Sequence, residues 1–243
     1  MENKTKMNII LFILMLISTG SLIIVGWFEF AIATLIFKCL SSLLFIATAA
    51  FSYKKNPSNK KFFALMFSGL IFSFGGDVFL ALNSSIINFF AIGVVSFSIG
   101  HIMYSFGYCS MTKISLKDIL VFLCFFIPIL FTVQLGIFEF KGMEIMIIIY
   151  AVVISFMVAK SLSMLKFYSV SKKPVLLMVT GSMLFFVSDW VLMYFLFYPN
   201  AWPALRAVNL TLYYLGQGLL ALSFAYSLKD EAIISKNTER IAA

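Results

Sequence analysis

The stretch Gly69-Leu-Ile-Phe-Ser-Phe-Gly-Gly-Asp77-Val-Phe-Leu80 is an apolar run broken by one carboxylate. Gly181-Ser-Met-Leu-Phe-Phe-Val-Ser-Asp189-Trp-Val-Leu192 repeats the pattern, its aspartate again eight residues after a glycine. Of the 243 residues, 62% are hydrophobic and only 12% charged, and soluble domains carry about twice that charged share. Both stretches therefore read as membrane spans. A carboxylate near the bilayer centre costs at least ~2.5–3.5 kcal/mol, so two in matching places mark a pathway or a reactive site.

The loops around these runs divide the chain into eight apolar segments, at about 7–26, 30–53, 62–82, 86–110, 116–135, 143–165, 174–198 and 205–228. In lipid each must be helical, because a helix satisfies its backbone polar groups within one segment. The expected fold is all-α: a single domain of eight transmembrane helices over residues 1–228, then a short polar tail, 229–243. Lys4 and Lys6 precede the first run as they would in a signal peptide. That run is long enough, at ~20 residues, to span ~30 Å, and no convincing small-x-small cleavage site precedes Trp27.

Lysines fall on one side of this arrangement: Lys4 and Lys6, Lys54 to Lys61, Lys113 and Lys117, then Lys166, Lys172 and Lys173. The other side carries only Lys141 and Arg206, which places both termini in the cytoplasm. With loops this short, a bacterial cytoplasmic membrane is the expected location. The same asymmetry accounts for the net charge of +8 without a nucleic-acid partner. One histidine, His101, excludes a zinc centre built on several histidines. Cys39, Cys109 and Cys124 lie in apolar segments without Cys-x-x-Cys spacing, so neither a disulfide nor a metal or other cofactor is expected.

Asp77 and Asp189 lie 112 residues apart, in spans that run in the same direction, and the next spans carry Gly100-His101 and Gly216-Gln217. Two parallel four-helix repeats related by an axis along the membrane normal fit this pattern, as does compositional bias alone. Apart from Lys38 and His101, no other titratable acid or base is expected well inside a span. Lys38 reads either as a counter-charge to an aspartate or as a ligand for a phosphate or head group. His101 and Tyr104, three residues apart, share a helix face, as do Tyr213 and Gln217; Tyr214 is turned by ~100° from Tyr213. Each polar tip needs a partner in lipid, so all are expected in one interior cluster with the aspartates.

Taken together these residues resemble the YhhN family of membrane proteins, the lysoplasmalogenases. The resemblance rests on Lys38-Cys39-Leu40, Gly76-Asp77, Phe97-Ser-Ile-Gly-His101-Ile-Met-Tyr104, Ser188-Asp189 and Tyr213-Tyr214-Leu-Gly-Gln217, in order across nearly the whole chain. The family usually shows Lys-Pro-Leu where this chain has Lys-Cys-Leu, which removes a kink but not the charge. The resemblance implies hydrolysis of the vinyl ether bond of lysoplasmalogens to a fatty aldehyde and glycerophosphocholine or glycerophosphoethanolamine. The partners it implies are the lysophospholipid or ether-lipid substrate and the membrane lipids.

Two carboxyl groups suffice for such a reaction, one delivering a proton and the other stabilising the cation and activating water, as in glycosidases. Asp77 and Asp189 are the expected catalytic pair, with either as the acid. Lys38, His101, Tyr104, Tyr213, Tyr214 and Gln217 are expected to hold the substrate. On physics alone the same acids and histidine suit a proton-coupled transporter, and a lipid-binding membrane protein is a third reading.

Overall fold

A computed structural model describes residues 2–82, 89–226 and 228, with the backbone alone for 2–5. The expected tail, 229–243, and small parts of the fourth and eighth expected spans lie outside the described residues. The helices are α1 (Glu2–Trp27), α2 (Ala31–Lys55), α3 (Lys60–Ala81), α4 (Phe89–Met111), α5 (Leu116–Gln134), α6 (Glu144–Leu162, continued by a 3₁₀ turn, Ser163–Phe167), α7 (Lys172–Phe197) and α8 (Ala204–Ser223). Asn59 caps α3 by accepting the Phe62 N–H at 3.0 Å, and Asp118 reaches back to the Ser115 N–H at 2.9 Å to start α5.

Seven helices, α1 to α7, are long and apolar enough to cross a membrane, which makes this a multi-pass membrane protein. The expected eighth span differs. Arg206, Asn209 and Gln217 dilute the apolar sequence of α8, yet the helix buries Asn209, Tyr213, Tyr214 and Gln217 against α7, α2 and α1. Its polar side chains meet protein, so its composition need not match that of a lipid-facing helix. Large apolar side chains such as Ile17, Ile32, Phe131 and Ile145 lie on the outer surface, where acyl chains cover them.

Consecutive helices pack as pairs: α1 on α2, α3 on α4, α5 on α6, α7 on α8. Across the pairs, α2 touches α3 and α8, while α6 touches α7 and α4. Glycines set the closest crossings. A Cβ on Gly181 would lie 2.8 Å from the Gly216 carbonyl oxygen, and one on Gly216 would lie 2.8 Å from that of Gly181. In the α3–α4 pair, a Cβ on Gly100 would lie 3.1 Å from the Gly69 carbonyl oxygen. Eight residues of helix carry the chain ~12 Å, so both aspartates stand at the same height above these crossings.

A second buried charge cluster lies near the lysine-rich loops. Lys160, fully buried on α6, donates to Asp118 Oδ2 at 2.9 Å and to the Lys113 carbonyl at 3.0 Å, and the Ser163 hydroxyl also donates to Asp118. Lys160 lies five residues from the end of its expected span, 143–165, outside the expectation made for groups well inside a span. Near a span end a lysine reads as a snorkelling rim residue, and only the fold reveals that Lys160 turns inward.

Candidate active site

Asp77 on α3 is almost fully buried among donors. The Ser42 hydroxyl donates to Oδ2 at 2.6 Å and the Tyr213 hydroxyl to the same oxygen at 2.7 Å; Lys38 Nζ stands 3.8 Å from Oδ1. One turn separates Lys38 from Ser42 on α2, so a single helix face supplies both.

Asp189 on α7 has a different retinue. The Tyr150 hydroxyl of α6 donates to Oδ2, and His101 Nε2 lies 3.6 Å from that oxygen and 2.8 Å from the Tyr150 oxygen. With the Tyr150 proton directed at Asp189, the phenol oxygen accepts from His101, which assigns the imidazole proton to Nε2. The side chain of Asp189 is 13% accessible against 3% for Asp77, so it is the more available of the two.

The two settings share a register. Tyr150 lies 112 residues after Lys38, Asp189 lies 112 after Asp77, and Tyr213 lies 112 after His101. Asp77 on α3 is thus served by α2 and α8, and Asp189 on α7 by α6 and α4, each half reaching into the other for one partner.

Both aspartates line one cavity of about 110 Å³, together with Lys38, Tyr150, Tyr213 and Asn209, among apolar walls from Phe90, Phe97, Leu192 and Phe197. Asn209 is held there by donating to the Ser188 carbonyl at 2.9 Å. Tyr150 and Asp189 also line a small cleft between α5, α6 and α7, walled by Ile129, Ile154, Phe186 and Trp190.

Of the residues expected from the sequence, Asp77, Asp189, Lys38 and Tyr213 line this cavity. His101 stands behind it and touches it through Tyr150. Tyr104 and Gln217 do not: the Tyr104 hydroxyl donates to Gln217 Oε1 at 2.8 Å in a fully buried pair. The Tyr214 hydroxyl does not line the cavity; it stands behind Asp77 and Ser42, in reach of both, and 3.5 Å from the Lys38 carbonyl. Tyr150, Ser42 and Asn209 escape the sequence reading. The 112-residue offset applied to Lys38 would have found Tyr150.

The model of the YhhN family matches the chain over residues 33–224, most of its length and every residue of the cavity. No curated protein and no solved structure matches it.

Proposed function

The chain belongs to the YhhN family, and from that premise we propose that it is a membrane-embedded hydrolase cleaving the vinyl ether bond of lysoplasmalogens. The products are a fatty aldehyde and a glycerophospho-head-group alcohol. The observation that carries this reading is the single apolar-walled cavity lined by both Asp77 and Asp189.

Asp189, the more accessible carboxyl, acts as the acid and gives its proton to the outer alkene carbon. The ether oxygen's electron pair then forms the oxocarbenium ion. Asp77, the one of the two that has a lysine ammonium beside it, suits the carboxylate that opposes this positive charge and takes a proton from the water adding to the carbon beside oxygen. The hemiacetal collapses when its hydroxyl proton returns to Asp189 and the glycerol oxygen, leaving, takes the proton from Asp77. His101 and Tyr150 orient the acid. A cavity among helices excludes bulk water, so these charges act in a low-dielectric setting.

The shared 112-residue register supports two four-helix repeats, in which one ancestral position became Lys38 in the first half and Tyr150 in the second. The lysine-rich loops support a cytoplasmic location for both termini in a bacterial membrane, with α8 as the eighth span.

Purified protein incubated with lysoplasmalogens is expected to release aldehyde, and ordinary acyl lysophospholipids to release none. Silence from every lysoplasmalogen would overturn the reaction.

A further inference from the structure

A larger cavity, of about 410 Å³, adjoins the first and shares Lys38, Leu80, Phe90, Leu192, Asn209 and Leu210 with it. It runs away from the lysine-rich loops to the α1–α2 and α7–α8 turns, where Glu29, Thr34 and Arg206 line it. Arg206 stands in the first turn of α8. One guanidinium N–H is fixed on the Gly26 carbonyl at 3.0 Å, and among the described residues no carboxylate pairs with it within 4.0 Å. A guanidinium has five donors in a planar fork, so most of its capacity is left for a phosphate. The positive end of the α8 dipole adds to it. Lys38 lines the boundary between the two cavities, and Glu29 provides one carboxylate on the outer wall.

We infer that this vestibule is the head-group subsite: Arg206 and Lys38 hold the phosphate of a zwitterionic lysophospholipid, and Glu29 faces its ammonium. The inference rests on the lysophospholipid reading above. The glycerol backbone joins phosphate to ether, so the two subsites must adjoin, and Lys38 is where they meet. The substrate therefore approaches from the face opposite the lysine-rich loops. A free phosphate would satisfy Arg206 and Lys38 equally, but it would have no use for Glu29 or for the apolar neck formed by Phe90 and Leu192.

Binding to the full-length protein in nanodiscs tests this without asking for turnover. The probes are a saturated 1-O-alkyl lysophosphocholine, which cannot be cleaved at a vinyl ether, the corresponding 1-O-alkylglycerol, and inorganic phosphate. Arg206→Gln is expected to weaken the lysophosphocholine about tenfold or more and leave the alkylglycerol unchanged, with Arg206→Lys recovering much of the loss. Thr34→Glu, which keeps Arg206 and its contact to Gly26, is expected to act in the same direction through repulsion. Glu29→Gln is expected to weaken lysophosphocholine but not the matching lysophosphatidate, which has no ammonium. Equal binding of lysophosphocholine by wild type, Arg206→Gln and Thr34→Glu would overturn the subsite. Tight binding of inorganic phosphate alone, lost in Arg206→Gln, would overturn the lipid assignment. Because the readout is binding, a failure of vinyl ether cleavage strikes the reaction and leaves this subsite standing.

Discussion

Asp77 and Asp189 are the same side chain in two different settings, and the chemistry assigned to them follows from their neighbours. Asp77→Asn and Asp189→Asn should each cut aldehyde release by ~10²–10⁴-fold while the protein still elutes as a folded species, since asparagine keeps the shape and its amide oxygen still accepts from the neighbouring hydroxyls. The double variant should be little worse than either single one, because the pair acts as a unit. Tyr150→Phe removes the hydroxyl that links Asp189 to His101. It should lower kcat by about tenfold or more with KM nearly unchanged, and a fall in affinity instead would make Tyr150 a substrate ligand. The aspartates were legible because a carboxylate in an apolar run costs too much to persist without a role. Tyr150 was not: tyrosines are common in these spans, and only its contact with Asp189 separates it from those at the bilayer rim.

At the level of helices, two devices hold the carboxylates in register. The reciprocal approach of Gly181 and Gly216 leaves no room for a methyl group on either. Gly181→Leu should wedge α7 from α8 and lower the melting temperature, whereas Gly20→Leu, where nothing lies within 4 Å of the Cβ, should not. A melting temperature unaltered by Gly181→Leu would mean that the two helices are held elsewhere. The other device is the buried pair of Lys160 and Asp118, which ties α6 to the start of α5. Lys160→Met leaves a carboxylate without its cation and should cost about 3–5 kcal/mol, while Lys160→Met with Asp118→Leu should recover most of that loss in thermal unfolding. Helix positions were readable from hydropathy and loop charge. The composition of α8 gives a poor guide to its role, because a helix surrounded by protein is free to carry arginine, asparagine and glutamine.

For the molecule as a whole, the contacts α1–α2, α2–α3, α3–α4 and α2–α8 have counterparts in α5–α6, α6–α7, α7–α8 and α6–α4. Each half completes the other's carboxylate setting. Two polypeptides divided in the loop between Met111 and Ser115 should therefore reassemble in the membrane when expressed together, and aldehyde release should return only with both present. Activity from either half alone would contradict the shared cavity. Reporter fusions at the two ends should both score as cytoplasmic, and opposite results would refute the topology read from the lysines.

The adjoining cavities are polar at the Arg206 end and greasy at the cleft between α5, α6 and α7. On the proposed reaction, its two products differ just as sharply in solubility. The glycerophospho alcohol drains to water through the vestibule, and the aldehyde stays among acyl chains. Each product leaves for a phase the other avoids, so neither has to pass the other to clear the carboxylates for the next substrate.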